Sequence, residues 1–118
     1  MDSKTPRRLV VGISGASGTI YGVRLLELLK ATDIETHLVM SRSAEMTLVY
    51  ETDYKPKDVR ALAKVNHPAA DIGASISSGS FQTMGMIVVP CSIRTMSEIA
   101  TGVTSSLLSR AADVVLKE

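Results

Sequence analysis

At 118 residues, with 45% hydrophobic content but only three Tyr, one Phe and no Trp, the chain is sized for one domain built on an aliphatic core. Thirteen basic against twelve acidic residues leave a net charge of +1, which provides no electrostatic footprint for nucleic acid or an anionic membrane surface. A single cysteine, Cys91, excludes an internal disulfide framework and a cysteine-rich zinc site, and no metal is expected.

Residues 1–7 read as an N-terminal tail. Lys4, Arg7 and Arg8 precede an apolar stretch, as in a secretory signal, but the continuous apolar run from Leu9 ends at Gly12. That is too short for a signal core or a bilayer span, so a soluble, reducing, cytoplasmic setting is the expectation.

Residues 8–118 read as one domain of alternating strands and helices, without internal repeats or low-complexity linkers. Arg8 to Ile13 is a buried strand that breaks into Ser14-Gly15-Ala16-Ser17-Gly18 and then into a helix. Backbone N–H groups in such a turn, with the positive end of the following helix, bind an anion without a cationic side chain. Gly12, Gly15 and Gly18 space as G-x-x-G-x-x-G rather than the dinucleotide G-x-G-x-x-G, which points to a mononucleotide. The same glycines also suit a plain tight turn.

Thr19 to Ala31 follows as a helix with Ile20, Val23, Leu25, Leu26 and Leu29 on its inner face. A second strand, Glu35 to Met40, ends at Ser41, which reads as the N-cap of a helix over Ala44 to Tyr50. Glu51 stands at the end of that helix, where a carboxylate opposes the helix dipole, a placement that hints at a task other than stability. Lys57 to Ala63 reads as a short amphipathic helix, and the serine-rich segment Ser75 to Ser80 leads toward an apolar strand over Gly85 to Pro90. Thr95 to Gly102 and Ser106 to Lys117 read as two closing helices.

Strands joined by helical crossovers imply a doubly wound α/β parallel sheet, whose ligands bind outside the carboxyl ends of the strands. Three such ends carry small hydroxyl or thiol residues: Ser14 to Ser17, Ser41, and Cys91-Ser92. Together they predict a neutral, donor-rich pocket for a phosphate plus a polar ring. Arg94 follows directly and could reach that ligand, whereas Arg110 and Lys117, seven apart, share a helix face that serves either solvent or a phosphate clamp. Cys91 reads as a small hydrophobe, His37 as a strand residue and His67 as part of a Pro-containing loop, neither histidine at metal-ligand spacing, and the Met residues read as core filler.

Five strings, in order, carry a resemblance: Val11-Gly12-Ile13-Ser14-Gly15-Ala16-Ser17-Gly18, Glu35-Thr36-His37-Leu38-Val39-Met40-Ser41, Ser77-Ser78-Gly79-Ser80-Phe81, Pro90-Cys91-Ser92-Ile93-Arg94-Thr95 and Arg110-Ala111-Ala112-Asp113-Val114-Val115-Leu116-Lys117-Glu118. With them the chain from Arg8 onward closely resembles the flavin prenyltransferase family, the UbiX type formerly described as aromatic acid or 3-octaprenyl-4-hydroxybenzoate decarboxylases. The resemblance implies a flavodoxin-like (Rossmann-like) fold. It also implies transfer of a dimethylallyl group from dimethylallyl monophosphate to reduced FMN, whose prenylated product serves a partner decarboxylase of ubiquinone-type or aromatic acid metabolism. Homo-oligomers, trimers or dodecamers with active sites at subunit interfaces, are implied as well.

Carried over by position, the resemblance implies that Gly15, Ala16 and Ser17 hold FMN at the glycine turn, with Ser17 near the reactive flavin edge. Ser41 and the segment Ser92, Ile93, Arg94 and Thr95 complete the FMN site. Ser78, Arg110 and Lys117 match positions around the allyl phosphate, and Glu51 matches an acidic residue at the reacting centre, making Ser17, Glu51 and Lys117 the catalytic candidates. Members of the family continue past the Leu116-Lys117-Glu118 string with a further strand and helix that bear more phosphate-pocket residues, so a C-terminally truncated sheet is the expectation. The alternative reading is a non-catalytic FMN-binding subunit of a hydroxyarylic acid decarboxylase system, with a flavoprotein decarboxylase of cysteine-like thiols as a third.

Overall fold

The structure, a computed structural model, describes residues 6–117; most of the expected N-terminal tail, residues 1–5, and Glu118 lie outside the described residues. Four strands form one parallel sheet: β1 (Arg8–Ile13), β2 (Glu35–Met40), β3 (Val65–His67) and β4 (Gly85–Val88), in the spatial order β3-β2-β1-β4. Register is set at the centre, where Val11 lies opposite Leu38 on one side and Ile87 on the other. Five helices connect and cover the strands: α1 (Thr19–Lys30), α2 (Arg42–Glu51), α3 (Pro56–Arg60), α4 (Ile93–Thr101) and α5 (Leu107–Lys117).

The alternation of side chains along a strand divides the core in two. Leu9, Val11, Ile13, Leu38 and Met40 point to one face and pack with Val23 and Leu26 of α1, Ala44 and Leu48 of α2 and Val59 of α3. Val10 and Val39 point to the other and meet Leu107, Leu108 and Ala111 of α5, with Ala74 and Ile76. Each fully buried Leu or Val among these contributes roughly 1.5–3 kcal/mol relative to exposure. Helices on both faces of a parallel sheet make the doubly wound arrangement expected from the sequence, and Ile20, Leu25 and Leu29 pack against the first cluster as their spacing implies.

Differences from the sequence reading are local. The helix after Ser41 begins at Arg42 because Ser41 itself is the cap, its Oγ accepting the Ala44 N–H at 3.1 Å. Likewise Ser92 caps α4, which starts at Ile93 rather than Thr95. The strand β3 was missed: three residues are too few to show a period of two, and His67 therefore lies in the sheet rather than in a loop. Arg7, placed in the tail, is anchored to the sheet margin, its carbonyl accepting the Glu35 N–H and its guanidinium pairing with Asp33. The methionines divide: Met40 is buried, but Met46, Met84 and Met96 are exposed, so core filling accounts for only some of them.

Candidate functional site at the carboxyl edge of the sheet

From β1 the chain crosses through α1 to β2 on one side, while β4 lies on the other, so the order of strands reverses between β1 and β4. Ligands of doubly wound sheets bind outside the carboxyl ends of the strands at such a point. Three connections meet there.

The first is the glycine turn. Gly18 is the N-cap of α1 at φ 100°, a left-handed conformation that glycine adopts without strain, and being glycine it offers no side-chain cap. Glu51 does so instead. Its carboxylate accepts from Ser17 Oγ at 2.7 Å and from the Gly18 N–H at 3.1 Å. These bonds, led by the one from Ser17, hold the Glu51 carboxyl below the usual carboxylate range. The residue that opposes the dipole of its own helix thus satisfies the positive end of another. Among the described residues the Gly15 and Ser17 N–H groups have no protein partner and remain open to a ligand.

The second connection is the start of α2. A Cβ at Gly15 would stand 2.3 Å from Ser43 Oγ and 3.0 Å from the Ser43 backbone carbon. Gly15 therefore lets the N-terminal turn of α2 close onto the glycine turn, with Ser41 Oγ and Ser43 Oγ hydrogen-bonded to each other at 3.1 Å. The third connection follows β4. Ser92 Oγ accepts the Thr95 N–H at 3.1 Å and donates to Thr95 Oγ1 at 2.9 Å. The segment is tied to the glycine turn because Ser14 Oγ accepts the Ser92 N–H at 2.6 Å.

The structure thus brings together Gly15, Ala16, Ser17, Ser41, Glu51, Ser92 and Thr95, with the N-terminal ends of α1, α2 and α4 converging. It also corrects one element of the sequence reading. The positive end of α1 already holds the Glu51 carboxylate, so a phosphate placed directly on it would meet a like charge. The start of α4 carries no carboxylate and that of α2 has its first-turn Glu45 paired with Arg60, so both fit a phosphate, while Ser17 and Glu51 fit a polar ring edge. The residues present therefore fit a mononucleotide such as FMN.

Other candidates sit apart. Arg94 is on the first turn of α4, its side chain 85% exposed and paired with Glu98 at 3.2 Å, turned along its own helix. Ile93 beside it is exposed. Cys91 is partly buried, and that burial pushes its thiol above its ordinary value, as befits a packed side chain rather than a nucleophile. Lys117 pairs with Asp113 at 3.0 Å, and Arg110 is exposed on the same helix. Ser78 bonds Ser80 Oγ at 2.9 Å. The adjoining Gly79 to Phe81 line a cavity of about 670 Å³ with Val114 and Val115 of α5, so the serine segment and the helix carrying Arg110 and Lys117 face one space. A second cavity, about 570 Å³, lies at the ends of β2 and β3 between Arg42, Glu45, Arg60 and His67 and holds none of the predicted site residues.

Sequence reasoning missed three supporting residues. Ser43 carries no motif signal. Gly22 does: a glycine inside a helix costs about 1 kcal/mol and so calls for a reason. Here a Cβ would stand 2.6 Å from the Val89 carbonyl oxygen, so Gly22 sets how closely α1 approaches the end of β4. The third, Ser14, was read only as one member of the turn. His37 and His67 hold no metal-like arrangement; they stack, with ring nitrogens 2.9 Å apart, and His37 Nε2 reaches Glu35 Oε1 at 2.7 Å. Among the described residues no group of three or more His, Cys, Asp or Glu is placed to hold a metal ion, and no helix is long and apolar enough to cross a membrane.

The Flavoprotein family model matches residues 1–118. The flavin prenyltransferase UbiX of Escherichia coli (strain K12) is 66% identical over 113 residues, covering 95% of this chain and 60% of that protein. Among solved structures, AnUbiX (PadA1) in complex with FMN and dimethylallyl pyrophosphate superposes with a TM-score of 0.95 at 52% identity, over 97% of this chain and 61% of its own. A dodecameric FMN-dependent UbiX-like decarboxylase from Escherichia coli O157:H7 superposes with a TM-score of 0.92 at 53% identity, over 94% of this chain and 61% of its own. The chain spans 60% of the length of the Escherichia coli (strain K12) relative and 47% of that of the mitochondrial flavin prenyltransferase PAD1 of Saccharomyces cerevisiae (strain ATCC 204508 / S288c), which is 52% identical over 96% of this chain.

Proposed function

The chain belongs to the flavoprotein family, among the UbiX-type flavin prenyltransferases, and from that premise we propose that it is the FMN-binding part of a cytoplasmic enzyme that joins a dimethylallyl group to reduced FMN. The donor in this reading is dimethylallyl monophosphate, the product goes to a decarboxylase of aromatic acids, and the protein works as a homo-oligomer. The observation that carries the reading is the meeting of Glu51, Ser17 and the open glycine turn with the capped starts of α2 and α4 on one sheet edge.

Reduced FMN supplies the nucleophilic ring atoms to which the allyl group is joined. The task left to the protein is orientation, charge stabilisation and a hold on the departing phosphate. Gly15, Ala16 and Ser17 hold the ring edge, and Ser41 and Ser92 to Thr95 hold the rest of the mononucleotide through hydroxyl and N–H donors. Glu51, whose carboxyl the bonds from Ser17 and Gly18 hold below its ordinary range, would bring negative charge to the ring edge where the allyl cation develops. Ser78, Arg110 and Lys117 serve the allyl phosphate, a role favoured by the space that the serine segment shares with α5.

The test is titration with FMN, followed by anaerobic incubation with reduced FMN and dimethylallyl monophosphate and mass detection of the prenylated flavin. Binding and product are expected, with Ser17→Asp abolishing binding because it sets a second carboxylate against Glu51 and the ring. Binding without product would make the chain an FMN-binding subunit. Absence of binding, or a Ser17→Asp variant of unchanged affinity, would refute the site.

A further inference from the structure

Ser14 has none of the roles given above to its neighbours: it faces no open space, with 1% of its surface exposed. Its bonds run between two connections of the chain. Ser14 Oγ donates to the Pro90 carbonyl at 2.8 Å and accepts the Ser92 N–H at 2.6 Å, while the Ser14 N–H also donates to the Pro90 carbonyl at 3.1 Å. The ladder between β1 and β4 has its last paired residues at Gly12 and Val88, followed by one bond from the Val89 N–H to the Gly12 carbonyl at 2.9 Å. Beyond that point the backbone makes one further bond, from the Ser14 N–H to the Pro90 carbonyl, and the Ser14 hydroxyl supplies the link to the Ser92 N–H that backbone does not make.

We propose that Ser14 is a positioning residue for the mononucleotide: it sets the spacing between the glycine turn and the Ser92–Thr95 segment, so that one ligand engages both. The inference deepens the flavin-site reading and rests on it. Ser14 is buried behind the turn, away from open space. It acts through Ser92, whose own Oγ organises the first turn of α4. Alanine at position 14 leaves the Pro90 carbonyl with its backbone donor but strips the partly buried Ser92 N–H of its acceptor, so the segment gains by moving that donor toward water. Movement releases one wall of the site. Cysteine keeps a weak donor and acceptor in a slightly larger side chain.

The experiment measures FMN affinity by flavin fluorescence for the unsubstituted chain, Ser14→Ala and Ser14→Cys, at a temperature well below each unfolding midpoint, together with hydrogen exchange at the Ser92 amide. The expected results are a slowly exchanging Ser92 amide in the unsubstituted chain and an FMN affinity about tenfold or more lower in Ser14→Ala, with Ser14→Cys between the two. A purely structural role would lower the midpoint and leave the affinity of the folded fraction unchanged, which would overturn the proposal. So would a Ser92 amide that exchanges freely in the unsubstituted chain, a readout that needs no variant to fold, or a Ser14→Cys variant weaker than Ser14→Ala, which would make size the cause. Failure of the unsubstituted chain to bind FMN would instead overturn the flavin reading, and this inference with it.

Discussion

Glu51, the last residue of α2, accepts a hydrogen bond from Ser17 Oγ at 2.7 Å across 34 positions of sequence, and so links the C-terminal end of one helix to the N-terminal end of another. Taken alone, a carboxylate at a helix C-terminus is mildly destabilising. Its partners reverse the sign, because the Gly18 N–H and the start of α1 have no other side-chain cap.

Replacement of that carboxylate has a pH signature. Glu51 has its folded pKa lowered, so its contribution is present above the unfolded value near 4.5 and is lost as pH falls through the folded one. Glu51→Gln is expected to lower the unfolding midpoint by about 1–5 °C at neutral pH, as befits an exposed carboxylate. The difference from the unsubstituted chain should shrink as pH falls below 4.5 and vanish in strong acid. Thermal unfolding of both proteins across pH checks this, and a difference that persists in acid would mean the carboxylate charge is not what matters.

Contact between Gly15 and Ser43 predicts a non-additive pair. Gly15→Ala forces the new Cβ against Ser43 Oγ and Cβ, at 2.3 and 2.6 Å, and is expected to cost roughly 1–3 kcal/mol. Ser43→Gly removes both atoms, so the double variant should recover part of that loss. Denaturant unfolding of the four proteins measures the coupling. Strict additivity would show that the glycine turn relaxes away from α2 instead.

Lys117 separates ligand roles from stability. Its side chain is exposed in the i,i+4 pair with Asp113, and such pairs contribute little, so Lys117→Ala should change unfolding and FMN affinity little. Use of dimethylallyl monophosphate is expected to weaken severalfold or more in an assembly that turns over. Equal loss of flavin binding and turnover would mark Lys117 as structural.

Acid stability is set on the other side of the sheet. Burial and the charge of His37 lower the folded pKa of His67 below its ordinary 6.5, so in the window beneath 6.5 the unfolded chain binds more protons and stability falls as pH falls. Glu35, lowered by its bonds to His37 and Arg8, adds a second loss further into acid. His67→Gln should flatten the curve just below pH 6.5 while leaving the deeper acid limb in place. An unchanged midpoint-versus-pH profile would exclude the histidine pair as its source.

By itself the sequence determined three of the four strands and the edge where their carboxyl ends meet. Unbroken apolar runs at Leu9 to Ile13 and Leu38 to Met40, helix-period leucines between them and serines at the strand ends are local patterns, and local patterns survive without knowledge of contacts. Family strings added the ligand class. Tertiary structure alone decided how the edge is wired. That Glu51 caps α1, that the Ser14 hydroxyl holds the Ser92 N–H, that Gly22 admits the Val89 carbonyl and that His67 joins the sheet beside His37 all depend on distances between residues some 30 to 80 positions apart. Hydrogen bonding and close approach fall off within a few ångströms, so such relationships exist only once the chain has folded and leave no periodic trace in the order of its residues.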